Sequence, residues 1–284
     1  MHAHLFPHLP RLSVVPSSCP KPCVGAELLR YNKVDINHAA ADGRTALSIS
    51  CQKGHADIVA MLLETDKVDV NQARRDGITP IYIASQKGHA NIVRLLLNTR
   101  TTFGLADNRP ESKGATPLLV ASQYGHTEVV RLLLESHRTE VDQAMSDGVT
   151  PLFMACQGGH SDIVTLLVST AKADVNKAMA LGATPLFIAS QQGNANVVRQ
   201  LLTLAAGTIE LNTPRDNGLN ALSVAAYFGH ELVAKALLEA GASESKATDH
   251  GHSPLRYARE RGHSRVVEAL LSHSKSEVAD VREL

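Results

Sequence analysis

Fourteen histidines and four cysteines are the residues best suited to chemistry in this chain of 284 residues. Six of the histidines follow a glycine at near-regular intervals: Gly54-His55, Gly88-His89, Gly125-His126, Gly159-His160, Gly229-His230 and Gly262-His263. Gly193-Asn194 completes the series. A zinc ion needs its ligating nitrogens about 2.0–2.1 Å away. Histidines that recur once per packed helical layer stand about 8–10 Å apart, so the series predicts braced turns and no metal site. His2, His4, His8, Cys19 and Cys23 lie in a proline-rich stretch with no second cysteine pair, which is not a zinc-knuckle pattern. Cys51 and Cys156 fill matching positions three units apart, ~30 Å on the same stacking distance. A disulfide needs Cα atoms within about 7 Å, so both read as small core residues. There is no Gly-x-Ser-x-Gly elbow, no phosphate-cradling glycine loop and no His-Glu-x-x-His pair. Acids and histidines are spread along the chain instead of converging, and the sequence predicts no catalytic residue, no cofactor and no enzyme.

The elements that hold these residues follow from a second glycine series: Gly43, Gly77, Gly114, Gly148, Gly182, Gly218 and Gly251, in steps of 33 to 37 residues. Behind each lies a short motif: Thr45-Ala46-Leu47, Thr79-Pro80-Ile81, Thr116-Pro117-Leu118, Thr150-Pro151-Leu152, Thr184-Pro185-Leu186, Asn220-Ala221-Leu222 and Ser253-Pro254-Leu255. The Thr, Asn or Ser stands where a helix N-cap oxygen is needed. Proline in the next position suits the first turn, where its missing N–H costs nothing. The later glycine of each unit suits a left-handed residue closing this first helix. Asp57, Glu128 and Asp162 then open a second helix, where negative charge suits the helix dipole. Ile58, Val59, Leu62 and Leu63 give that helix one apolar stripe. Each unit is therefore helix, tight turn, helix and extended loop, and no unit can bury its stripe alone, so the units must stack.

Composition narrows the function classes. Twenty-eight basic and 28 acidic residues give zero net charge, which argues against a general nucleic-acid binder. Apolar residues make up 44 %, enough for a folded core, yet no apolar run approaches the roughly 20 residues of a membrane span. Aromatics are 4 % and Trp is absent, against one large ring-filled core. Residues 1–24 hold five prolines, no acid and no continuous apolar h-region, and read as a disordered leader. The repeat domain covers 25–273, with a partial repeat at 25–40 and repeats starting near 42, 76, 113, 147, 181, 217 and 250; residues 274–284 form a tail. Longer loops are expected at 99–112 and 207–216, and Arg256, Glu260, Arg261 and Arg265 give the last repeat a polar outer face. Few, scattered cysteines point to a reducing intracellular setting, cytoplasmic with the nucleus as the alternative.

The Gly-x-Thr-Pro-Leu runs, the Gly-His pairs and the loops Asp69-Val70-Asn71 and Asp174-Val175-Asn176 resemble the ankyrin repeat family over residues 26–273. The resemblance implies an all-α repeat solenoid of helix-turn-helix units joined by β-hairpin-like loops. It also implies a non-enzymatic scaffold that holds a protein partner along a concave groove, with no nucleic acid, no membrane and a monomeric chain. Its alternative is a substrate-recruiting subunit of a ubiquitin ligase or of a kinase or phosphatase assembly. One departure is consistent: the family's His after Thr-Pro-Leu is replaced by Ser48, Tyr82, Leu119, Phe153, Phe187, Ser223 and Arg256, which leaves that slot open for other uses.

On the same resemblance the groove is lined by three groups. The loop tips give Arg44 and Arg75, and the altered slot gives Tyr82, Phe153 and Phe187. The positions before the second glycine give Gln52, Lys53, Gln86, Lys87, Gln123, Tyr124, Gln157, Gln191, Tyr227 and Phe228. Phe153 and Phe187 have a second reading as fillers between neighbouring helices. Arg44, Lys53, Arg74, Arg75 and Lys87 gather at the first two repeats, partly offset by Asp42 and Asp76, and call for an acidic partner segment there. Asn71 and Asn176 match loops that the family offers for asparagine hydroxylation, Asn37 and Asn212 less well, and the same Asn has an ordinary role in closing the loop.

Overall fold

The computed structural model describes residues 35–65, 67–99, 110–136, 139–244 and 252–282, the last eight by backbone alone. The leader, the first half of the partial repeat, most of the 99–112 loop and the end of the tail lie outside the described residues.

The described residues form fourteen α-helices in seven pairs and no strand. The pairs are α1 (Ala46–Lys53) with α2 (Ala56–Leu63), α3 (Pro80–Lys87) with α4 (Ala90–Leu97), and α5 (Pro117–Gln123) with α6 (Thr127–Glu135). Next come α7 (Pro151–Gly158) with α8 (Ser161–Thr165), which runs on as a π turn over Leu166–Thr170, and α9 (Pro185–Gln191) with α10 (Ala195–Leu204). The last two are α11 (Ala221–Phe228) with α12 (Glu231–Glu239), and α13 (Pro254–Glu260) with α14 (Ser264–Arg282). Odd-numbered helices stack on one another in one layer and even-numbered helices in a second.

Local chemistry sets each hairpin. The side-chain oxygens of Thr45, Thr79, Thr116, Thr150, Thr184, Asn220 and Ser253 each accept the N–H of the residue three positions on. At Thr45 the cap is reciprocal, because Ser48 Oγ in turn accepts the Thr45 N–H at 2.9 Å. The glycines that close the first helices share φ between 73° and 81°, the left-handed conformation a side chain disfavours. Between the layers, Leu47, Ile81, Leu118, Leu152, Leu186 and Leu222 meet Ile92, Val129, Ile163, Val197 and Val233, all at most 1 % exposed.

The connecting loops turn back as short hairpins. Met145 N–H donates to the Val149 carbonyl at 2.9 Å, and Gly148 N–H to the Met145 carbonyl at 2.9 Å. One main-chain bond then links successive tips from the second to the sixth, as in Ser146 N–H to Lys113 O at 3.3 Å and Ala180 N–H to Asp147 O at 2.7 Å. A Cβ on Gly148, with φ 85°, would meet Ala180 N at 3.0 Å, so this glycine is fixed by both its conformation and the stacking of the tips. Asp76 and Asp147 carboxylates accept the N–H two residues on, which builds the tip from within.

Candidate protein-binding face

The Gly-His pairs act between repeats. His126 Nε2 lies 3.0 Å from the Gln86 carbonyl, His160 Nε2 3.1 Å from Gln123 O, His230 Nε2 3.0 Å from Gln191 O, and His263 Nε2 3.0 Å from Tyr227 O. Each ring also covers the helix-closing glycine of the preceding repeat. A Cβ on Gly88 would stand 2.5 Å from the His126 ring, and one on Gly229 2.6 Å from that of His263. Asn194 does the same work with its amide, donating to Cys156 O at 2.9 Å and Gln157 O at 3.1 Å. The glycine of one repeat and the histidine of the next are thus two halves of one staple. The bracing role expected for these histidines is present, but its partner is the neighbouring repeat.

The residue just before each helix-closing glycine faces solvent in every repeat: Lys53, Lys87, Tyr124, Gly158, Gln192, Phe228 and Arg261. This row crosses the ends of the first helices and is cationic at Lys53 and Lys87, aromatic at Tyr124 and Phe228, and cationic again at Arg261. Tyr124 is 53 % and Phe228 46 % exposed, and each lies flat beside the staple ring of its own repeat, at 6.3 Å from His126 and 6.1 Å from His230. In the preceding position Gln123 and Gln157 are exposed, while Gln52, Gln86 and Gln191 are half-buried. The carbonyls of Gln86, Gln123, Gln157 and Gln191, rather than their amides, carry staple bonds.

Tyr227 anchors a chain of rings. Phe228 meets it edge-on at 5.0 Å, Tyr257 at 5.6 Å, and His252 meets Tyr257 at 5.3 Å. The Arg261 guanidinium lies over the Tyr227 ring at 4.0 Å and donates to its hydroxyl. Tyr257, His252 and the stacking of Arg261 on Tyr227 escaped sequence reasoning, because these groups come together only when the sixth and seventh repeats pack.

The altered slot is corrected by the structure. Tyr82, Phe153 and Phe187 are 8 %, 4 % and 2 % exposed, and Ser48, Leu119 and Ser223 are also buried. The slot is the third residue of the first helix, whose N–H binds the cap, and its side chain turns inward. Phe153 and Phe187 fill space between helices, with the Arg215 guanidinium 5.4 Å over the Phe187 ring. Burial pushes the Tyr82 hydroxyl up to about 12, helped by the Glu111 carboxylate. Only Arg256, at the end of the stack, leaves the slot exposed.

At the loop tips Arg44 pairs with Asp42 at 2.5 Å, and Arg74 with Asp76 at 3.1 Å. The Arg44 N–H and guanidinium hold the Asp42 carboxyl below its usual range. Arg75, Lys53, Lys87 and Lys113 stand exposed, so the first three repeats present a cationic edge. The loop asparagines are tied across repeats. Asn176 Nδ2 donates to Thr208 O at 2.7 Å while its Oδ1 accepts Glu210 N–H at 2.9 Å, and Asn37 bridges Lys67 O and Asp69 N–H in the same way. Cys51 and Cys156 are free and buried, and burial pushes the Cys51 thiol up to about 12. Among the described residues no cluster of three His, Cys, Asp or Glu could hold a metal, and no helix is long and apolar enough to cross a membrane.

Comparison with known proteins decides the family. The pattern described as ankyrin repeats (3 copies) matches residues 21–107, 67–144, 103–179, 137–214 and 186–281. This chain belongs to the ankyrin repeat family. Solved ankyrin domains share its fold. The ankyrin repeat domain of Bcl-3, described as a unique member of the IkappaB protein family, superposes with a TM-score of 0.67 at 25 % identity. That match covers 81 % of this chain and 99 % of that one. The human ASB11 ankyrin repeat domain gives a TM-score of 0.70 at 24 % identity, over 81 % of this chain and 98 % of the other, a likeness of fold. No curated protein matches the sequence. Ankyrin repeat domains are in general protein-interaction modules without catalysis of their own.

Proposed function

We propose that this ankyrin repeat protein is a non-enzymatic scaffold that holds a partner along the row of exposed first-helix ends and the adjoining loop tips. The observation that carries the reading is the row itself: seven equivalent exposed positions on one stack, with cations at Lys53 and Lys87 and aromatic rings at Tyr124 and Phe228. A rigid face loses little freedom on binding. Aromatic anchors of this kind concentrate interface energy, and unneutralised cations favour acidic partners by steering. The partner is a protein segment with acidic residues over repeats one and two and apolar residues over repeats three and six. The ring chain of Tyr227 and Phe228 is its second anchor, held in place by Arg261.

The test uses Tyr124→Ala with Phe228→Ser, both at exposed positions, and a library of extended peptides displayed against the full chain. The double variant is expected to keep its melting temperature and lose selected binders. Binders that tolerate both changes and Lys53→Glu with Lys87→Glu would remove this face from the function.

A further inference from the structure

The seventh hairpin carries a face built like the interior interfaces but uncovered among the described residues. In the sixth repeat, Gly229 is covered by the His263 ring, and the Tyr227 carbonyl is bonded to His263 Nε2. Ala234 is 0 % and Leu238 3 % exposed. The same four positions in the seventh repeat are open. Gly262 keeps the left-handed φ of 74° but has nothing within 4 Å where a Cβ would stand, among the described residues. Among the described residues no staple reaches the Glu260 carbonyl, Val267 is only half-buried, and Leu271 is 37 % exposed. Ala258, Gly262, Val267 and Leu271 floor a groove of about 600 Å³ rimmed by Arg259, Ser264, Glu268 and Ser272.

One further position decides what fits. The residue three before the helix-closing glycine is Cys51, Ser85, Ser122, Cys156, Ser190 and Ala226 in the first six repeats, all small and 0 % exposed beneath the next first helix. In the seventh it is the exposed Arg259. A seven-atom side chain there bars a further first helix, while the staple socket and the Val267–Leu271 stripe stay free for a second helix.

We propose that this end face docks a single amphipathic helix of a partner protein, laid where the second helix of an eighth repeat would lie. The occupant carries His or Asn just before its first turn, to cover Gly262 and donate to the Glu260 carbonyl, and a stripe of Val, Ala or Leu for Val267 and Leu271. Continuity with six interfaces of the same build inside the chain supports this occupant. The site begins beyond Arg261, the last member of the row of first-helix ends, and uses none of that row's side chains.

A peptide of Gly229 to Glu239 reproduces the required pattern, and its Glu231 and Lys235, already paired at 2.7 Å on the exposed side, allow a lactam bridge that holds it helical. Fluorescence anisotropy of the labelled, bridged peptide against the full chain is expected to show saturable binding. Leu271→Glu should abolish it at unchanged melting temperature, and Phe228→Ser should leave it intact. A peptide with His230→Ala should bind roughly tenfold more weakly, the scale of one lost hydrogen bond with its packing. Absence of saturable binding at millimolar peptide, or equal binding by Leu271→Glu, overturns the proposal. Sedimentation of the chain alone is the second arm: self-association dispersed by Leu271→Glu would assign the face to a second copy instead and also overturn it.

Discussion

The interior repeats and the last repeat share one local design and differ in what lies beyond them. Gly88 and Gly262 have φ values of 73° and 74°, so their backbones are equivalent. Gly88 carries the His126 ring, whereas Gly262 carries nothing among the described residues. The comparison separates the two reasons for a glycine. Closing a first helix requires a left-handed residue everywhere, but the ban on a side chain has a packing component only where another repeat follows.

The sharpest way to break this comparison is to put alanine at both sites. Gly88→Ala must pay the left-handed penalty of about 1–2 kcal/mol and displace the His126 ring, an overpacking cost of about 1–3 kcal/mol. A total loss near 3 kcal/mol is expected, seen as a lower urea midpoint. Gly262→Ala meets only the conformational part, about 1–2 kcal/mol, confined to the last hairpin and best read by hydrogen exchange in α13 and α14. Equal losses at the two sites would dissolve the distinction between closing and stapling.

The histidine half of the staple gives a smaller effect. His126→Ala should cost about 1–2 kcal/mol through its lost bond and contacts, and His126→Asn should recover much of that, because Asn194 already spans the same gap to Cys156 and Gln157. If the asparagine variant is no better than alanine, the bond to the Gln86 carbonyl is not what the side chain contributes.

Acidity produces the smallest expected effect. The Glu231 carboxyl is held below its usual range by Lys235, and Glu260 by Arg256. A carboxyl whose folded pKa is depressed contributes stability above its unfolded pKa, about 4.3 for Glu, and loses it as pH falls through the lower folded value. The melting temperature at low salt should therefore drop slightly below about pH 4. Glu260→Gln should remove the part of this drop belonging to the last repeat. Glu260 is exposed and Glu231 partly so, and added salt should flatten the difference; a drop that persists in high salt would point to other groups.

Much of this molecule was legible in the sequence because the rules concerned act over a few residues. Thr, Asn or Ser at the cap and Gly at the close each specify their own turn in all seven hairpins, and Pro stands behind the cap in five of them. The inward turn of Tyr82, Phe153 and Phe187 was harder to read. A position three residues into a helix is apolar either because it fills the core or because it meets a partner, and composition does not distinguish the two. The exposed pair Tyr124 and Phe228 carried the same ambiguity and resolved the other way.

By itself, the sequence determined the repeat, its two helices and its family, since period and caps are local chemistry written seven times. Tertiary structure decided what the staple histidines touch, which aromatics face solvent and which helix-closing glycine is left uncovered among the described residues. Those outcomes depend on side chains such as His126 and Gln86, forty positions apart, which meet only once one hairpin has packed on the next.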